Sequence, residues 1–251
     1  MFLAKSASTT EWRAISAAVK TLVEEATFEA TSEGLTFRAM DPSHVALVDL
    51  TLPNSSFSSY SCQKPTKFSV RVEDLVKLVG RGDPKDSLEI RDTEEDSLAF
   101  TFQNGYKREF TIHLIESTAA SAPLPKLELE TKATLTKSIL DKVLADMSVV
   151  ADQVTIQATK DRLTFSGKSD IGKADVSLNK SDADVLKLES AADSKASFSI
   201  EYIQSILKAL SSVADTVDLA YSSKKPLVLT FALNSQGAKL LFYLAPRVSS
   251  D

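Results

Sequence analysis

One cysteine and two histidines in 251 residues leave this chain little with which to do metal or nucleophilic chemistry. Cys62 has no second cysteine to pair with, so no internal disulfide can form and no cysteine-cluster metal site exists. His44 and His113 fall on different strands or loops, and neither has another histidine at ligand spacing. Glycine is scarce as well, at seven residues, and no Gly-rich phosphate loop, Walker sequence or G-x-S-x-G elbow occurs. No apolar run approaches the roughly 20 residues that cross a bilayer. The N-terminal stretch MFLAKSASTTEW lacks the long apolar core of a secretory signal. These absences lead to an expectation of no catalytic residues, no metal, no cofactor, no membrane contact and an intracellular, reducing compartment. Positive charge is also in deficit. The net charge of −5 argues on its face against nucleic acid, which is bound through cations. Net charge is a sum, however, and binding depends on where the charges lie.

What is present is a repeat. Residues 29–37, EATSEGLTF, match residues 157–165, QATKDRLTF. Residues 98–102, LAFTF, match 227–231, LVLTF, and Phe68-Ser69-Val70 matches Phe198-Ser199-Ile200. The three pairs share one offset of about 128–130 residues and one order, which points to a tandem duplication and not to a solenoid array. A chain of 251 residues divides comfortably into two domains of ordinary size. Glu116–Lys126, ESTAASAPLPK, with two prolines and small polar residues, reads as the connector. The expected boundaries are 1–117, a connecting loop at 118–130, and 131–251.

Each half reads as strand, helix, strands, helix, strands. Alternating apolar and polar residues predict strands near 1–6, 26–31, 34–39, 44–52, 57–61, 66–71, 86–91, 97–103 and 107–115 in the first half. Apolar spacing of three and four predicts helices near 9–22, 72–80, 136–148 and 200–211. The expected buried stripes are Trp12, Ile15, Val19 and Leu22; Val72, Leu75, Val76 and Val79; Ile139, Leu140, Val143 and Met147; and Ile203, Ile206, Leu207 and Leu210. The fold class is α+β, with antiparallel sheets covered by helices on one face. Cations on the outward helical faces are Arg13, Lys20, Lys77, Arg81, Lys137, Lys142 and Lys208, with the small residues Ser16 and Ala17 between the first two. Acidic neighbours nearly balance them, so the helical face is only the least negative part of an acidic chain. The run Asp92, Glu94, Glu95, Asp96 reads as a solvated hairpin turn and not as a magnesium site.

Residues 40–47, MDPSHVAL, framed by Phe37-Arg38-Ala39 and Val48-Asp49-Leu50, resemble the signature loop of the archaeal and eukaryotic sliding clamps, the proliferating cell nuclear antigen family. The C-terminal Leu241-Phe242-Tyr243-Leu244-Ala245-Pro246-Arg247 resembles that family's last strand and tail, and Lys225-Pro226-Leu227, Tyr60 and Cys62 fall where the family has them. The resemblance implies the clamp fold, a two-domain subunit assembling head to tail into a trimeric ring with sheets outside and helices lining the hole. It implies sequence-independent contact with double-stranded DNA through Arg13, Lys20, Lys77, Arg81, Lys142 and Lys208. Ala14, Gly80, Ala145 and Glu201 depart from the family, which often carries cations there. The resemblance further implies a pocket for a short glutamine- and aromatic-bearing peptide, at Met40, His44, Val45, Leu47, Leu124, Pro125, Pro226, Tyr243, Leu244, Ala245 and Pro246. DNA polymerase, a clamp loader, a flap nuclease and a ligase would dock there. The implied subunit interface comprises Lys107, Arg108, Phe110, Ile112, Met147, Val150, Asp175, Val176 and Leu178, with Lys107 and Arg108 available to meet Asp175. The expected location is DNA-associated: cytoplasm or nucleoid in an archaeal cell, which is favoured, or the nucleus in a eukaryotic one. Other readings stay open: one subunit of a heterotrimer, a peptide-binding scaffold that never encircles DNA, or a hydrolase using surface carboxylates with a divalent cation.

Overall fold

A computed structural model describes residues 1–94, 96–116 and 122–247. The chain divides into two compact units: Met1–Pro123 with Ala232–Leu240, and Leu124–Phe231 with Leu241–Asp251.

The first unit contains β1 (Phe2–Ser6), α1 (Thr10–Lys20), β2 (Glu25–Thr31), β3 (Gly34–Met40), β4 (Ala46–Pro53), β5 (Ser59–Cys62), β6 (Thr66–Arg71), α2 (Val72–Val79), β7 (Ser87–Asp92), β8 (Ser97–Asn104) and β9 (Tyr106–His113). One antiparallel sheet runs β5-β1-β7-β8-β9, and a second set of strands runs β4-β3-β2-β6. The second unit contains β10 (Thr131–Thr136), α3 (Lys137–Ser148), β11 (Gln153–Thr159), β12 (Arg162–Lys168), β13 (Lys173–Asn179), β14 (Val185–Ser190), β15 (Ser194–Ser199), α4 (Ile200–Ala209), β16 (Thr216–Tyr221), β17 (Leu227–Ala232) and β18 (Lys239–Leu244). Its strands run β14-β10-β16-β17-β18 and β13-β12-β11-β15. The two pairing orders are the same, element for element.

The repetition extends to single bonds. Thr27 and Ser69 share a hydroxyl contact of 2.8 Å between β2 and β6, and Thr155 and Ser197 share one of 2.8 Å between β11 and β15. The Val72 N–H that opens α2 donates to the Glu24 carbonyl, and the Ile200 N–H that opens α4 donates to Asp152. Past β9, the Ile115 N–H bonds the Ser69 carbonyl; past β18, the Arg247 N–H bonds Ser197. Divergence appears at the β2–β3 turn. Gly34 sits at φ +142°, and a Cβ there would stand 2.2 Å from the Leu52 carbonyl oxygen, so only glycine fits. The equivalent position in the second half is Arg162.

Strand alternation places one face of each sheet in a core. In the first unit the rings of Phe2, Phe28, Phe37 and Phe68 form a chain of contacts with centroids 5.2–5.5 Å apart. Trp12 from α1 joins at 6.1 Å, its indole N–H donating to the Ser6 hydroxyl. In the second unit Phe198 meets Tyr221 edge to face at 6.1 Å.

Three details of the helical reading are corrected. In α2, which packs against α1, Val76 is only half-buried and Leu78 is inside. In α3, Ile139 is half-buried and Leu144 is inside. Ser16 is buried, its hydroxyl turned back to the Arg13 carbonyl, so the small-residue face of α1 narrows to Ala17.

Candidate functional site

The MDPSHVAL loop is built around Asp41. Its buried carboxylate accepts the backbone N–H of Val45 at 2.8 Å and of Ala46 at 2.7 Å through Oδ1, and that of Ser43 at 3.3 Å through Oδ2. The Asp41 N–H donates to the Ala46 carbonyl, closing the loop's base. Pro42 pre-sets the turn, and His44 takes the left-handed conformation at φ 58°. The result holds Met40 and Val45 half-buried and His44 exposed. Met40, Pro42 and His44 line one end of a groove over the outward face of β2 and β3. Its floor is polar, with the Arg38–Asp49 ion pair at 2.8 Å and the Lys67–Glu29 pair at 2.6 Å. Leu47 does not join this surface: it is 3% exposed and belongs to the core. Asp41 was missed because an Asp-Pro pair signals a turn without revealing that its carboxylate organises one.

In the second unit the residues expected at the peptide site divide similarly. Leu124 and Pro125 are exposed, and Pro226, Tyr243, Ala245 and Pro246 are half-buried. Leu244 is corrected, being fully buried, since β18 alternates and turns Phe242 and Leu244 inward. Positions 117–121 of the connector lie outside the described residues.

The expected DNA-contacting cations lie on helices or just past them. Arg13, Lys20, Lys77 and Arg81 are exposed in the first unit, Lys142 and Lys208 in the second. Their availability differs. Lys77 is paired with Glu73 one turn earlier at 2.7 Å, and that hydrogen bond, with the charges of Lys77 and Lys20, holds the Glu73 carboxyl below its usual range. One Arg13 guanidinium nitrogen donates to the Gly82 carbonyl at 3.2 Å. Lys137, expected to be available, is instead largely covered and paired with Asp141.

Both strands expected at the subunit boundary are sheet edges: β9 ends one sheet of the first unit and β13 one sheet of the second. Phe110 is 37% exposed and packs edge to face on Phe102 at 5.9 Å. Ile112 and Val176 are half-buried. Two parts of the expectation are corrected. Met147 is fully buried and Leu178 nearly so; the apolar surface at the end of α3 is supplied by Val149, Val150 and, from the β12–β13 turn, Ile171, which is 82% exposed. Val149 and Ile171 lie outside regular elements, where periodicity assigns no face. The charges are also committed within the chain. Arg108 pairs with the buried Asp86, donates to the Arg81 carbonyl at 2.9 Å and lies over the Phe102 and Tyr106 rings; Lys107 pairs with Glu109, and Asp175 with Lys173.

Among the described residues no group of three or more His, Cys, Asp or Glu side chains could hold a metal ion, and no helix is long and apolar enough to cross a membrane. His113 bonds the Ser97 hydroxyl at 3.1 Å. Of the acidic run, Asp92 accepts the Phe2 N–H at 2.8 Å, and Glu95 lies outside the described residues.

Burial raises the Glu11 carboxyl. Desolvation pushes it above its usual range, and the Asn234 amide, 3.3 Å from both oxygens, offsets only part of this. A raised carboxyl means that ionisation costs the folded state. The cost is present above the folded pKa and is relieved as pH falls through it. Glu11→Gln is therefore expected to raise the melting temperature slightly at neutral pH. The gain should shrink on acidification; a lower melting temperature at neutral pH would contradict the assignment.

Comparison with known proteins agrees along the whole chain. Residues 1–118 match the family model described as proliferating cell nuclear antigen, N-terminal domain, and residues 123–247 the model of its C-terminal domain. The chain is 43% identical over 249 residues to a DNA polymerase sliding clamp of Nitrosopumilus maritimus, covering 99% of both chains. It is 41% identical over 249 residues to that of Cenarchaeum symbiosum, with the same coverage. It is 33% identical over 238 residues to that of Thermococcus gammatolerans, covering 95% of each. A crystal structure of PCNA from Thermococcus kodakaraensis superposes with a TM-score of 0.94 at 26% identity, over 98% of this chain and all of the other.

Proposed function

The chain belongs to the proliferating cell nuclear antigen family, and from that premise we propose that three copies close head to tail into a ring around duplex DNA. Its function is that of a DNA polymerase sliding clamp, a processivity factor, and it works by holding and not by catalysis. The ring reading is carried by β9 and β13. Each is a sheet edge with apolar groups beside it, Phe110 and Ile112 on one and Val149, Val150, Ile171 and Val176 by the other. Heterologous contacts between two such different edges generate a closed ring when the rotation closes, and closure leaves neither edge bare. The purified chain alone should scatter light with about three times its 27.2 kDa mass. A single-chain mass would favour a heterotrimeric clamp subunit or a scaffold that does not encircle DNA.

DNA contact is weak and sequence-independent, through Arg13, Lys20, Lys77, Arg81, Lys142 and Lys208, because cation–phosphate contacts carry no base information. Residues 118–130 connect the domains. Polymerase, clamp loader, flap nuclease and ligase dock through short peptides carrying a glutamine, an aliphatic residue and two adjacent aromatics. Among the expected residues, Met40, His44 and Val45 in the first unit, and Leu124, Pro125, Pro226, Tyr243, Ala245 and Pro246 in the second, are each exposed or half-buried and so open to such a peptide. Met40 suits such a surface, since its thioether adapts to different partners. Truncating Met40, Tyr243 or Pro246 to alanine should each weaken a peptide of that pattern by roughly 1–3 kcal/mol in calorimetry. Unchanged affinity in all three would remove this site.

A further inference from the structure

Residues 124–129 belong to no strand or helix, so their backbone groups need partners from outside any ladder. Two hydrogen bonds to this stretch and the residue after it come from the turn between β16 and β17. The hydroxyl of Ser222, a residue 1% exposed, accepts the Glu130 N–H at 2.8 Å. Lys225 Nζ donates to the Glu128 carbonyl at 2.8 Å. The turn itself is braced. The Lys225 N–H closes it on the Ser222 carbonyl at 3.1 Å, and the Ser223 hydroxyl accepts the Lys195 N–H from β15 at 2.9 Å. Lys224 lies in the left-handed region at φ 61°, a conformation that non-glycine residues hold only where surroundings impose it. Pro226 follows, and a residue before proline is confined to extended backbone, which limits the directions Lys225 can take.

We infer that Ser222 and Lys225 are positioning residues for partner-peptide binding. They pin the C-terminal end of the connecting stretch and so fix where Leu124 and Pro125 stand before a peptide arrives. This rests on the reading of Leu124, Pro125 and Pro226 as peptide-contacting. A segment ordered in advance spares the peptide the entropy of ordering it. The lysine's bond is charge-assisted, and the serine's is sheltered from water; together they fix one carbonyl, that of Glu128, and one amide, that of Glu130, two residues apart.

The test uses the full-length protein as Lys225→Met, Lys225→Arg and Ser222→Ala. It measures calorimetric affinity for the glutamine-and-aromatics peptide, amide exchange over 124–131 and melting temperature. Lys225→Met should weaken the peptide about tenfold, one charged hydrogen bond's worth of constraint. Lys225→Arg should return affinity to within about twofold, because a guanidinium still donates to the carbonyl. Ser222→Ala should speed exchange of the Glu130 amide. Melting temperature should not follow the affinity. The inference is overturned if Lys225→Met and Ser222→Ala both bind as the unmodified chain does, or if affinity falls only in step with stability and arginine fails to rescue it. Should the unmodified chain not bind the peptide at all, the peptide reading itself fails; unchanged exchange in Ser222→Ala and Lys225→Met would then overturn the anchor independently.

Discussion

Phe110→Ala is expected to convert the assembled protein into folded single subunits at micromolar concentration. In the isolated chain Phe110 is 37% exposed and touches Phe102 from the edge of its sheet, so its loss opens no large internal cavity. At the proposed subunit boundary its burial is completed by a neighbouring copy. Fully burying a phenylalanine stabilises by about 1.5–3 kcal/mol, so covering the 37% of Phe110 still exposed contributes roughly 0.5–1 kcal/mol, three times in a ring. The trimer assembly constant should therefore fall by roughly one to two orders of magnitude. Charge cannot compensate, because Arg108, Lys107 and Asp175 already have partners within the chain. Rim ion pairs contribute little in any case. Circular dichroism should report an unchanged fold while light scattering reports one chain per particle. A persistent trimer would place the interface elsewhere.

The second large effect concerns topology. Loaded onto a nicked circle, the protein should remain bound through extended washing, and it should leave when the circle is cut and the ends are free. Affinity alone cannot produce that difference, since the phosphates offered are the same. Equal retention on both forms would refute encirclement. Reversing charge at Arg13, Lys20 and Lys77 together should lower loading and leave the fold intact. Lys20 should matter more than Lys77, whose charge is answered by Glu73 at 2.7 Å.

The duplication was legible because fold constraint and sequence signal coincide where strands are half-buried. EATSEGLTF and QATKDRLTF keep their alternation because each is a hairpin, β2–β3 in one unit and β11–β12 in the other, flanked by corresponding strands, β6 and β4 in one, β15 and β13 in the other. Short helices were less legible in detail. On the eight residues of α2, steps of three and four admit both Val76 and Leu78, and spacing alone does not choose between them. The candidate surface was legible as a motif but not as a list of contacts. Leu47 and Leu244 sit within the matching segments yet face the core; the alternation of β18 separates Leu244 from Tyr243, whereas β4 is buried at every residue from Ala46 to Leu50 and gives no such sign for Leu47. The partners of Arg108 were invisible for another reason: Asp86 lies 22 residues earlier and meets it only after the sheet has formed.

With Lys77 at the proposed DNA-facing surface, its pairing with Glu73 bears on travel along the duplex. A lysine facing phosphate alone displaces a condensed ion from the nucleic acid, and each such displacement deepens the well at one position and steepens the dependence on salt by about 0.9 in logarithmic slope. A lysine that carries its own carboxylate has less to gain from any one phosphate. The wells from one base pair to the next are then shallow and nearly equal. The expected physical character of the inner helical surface is low friction: a bearing that rides on the double helix and is kept there by its closure.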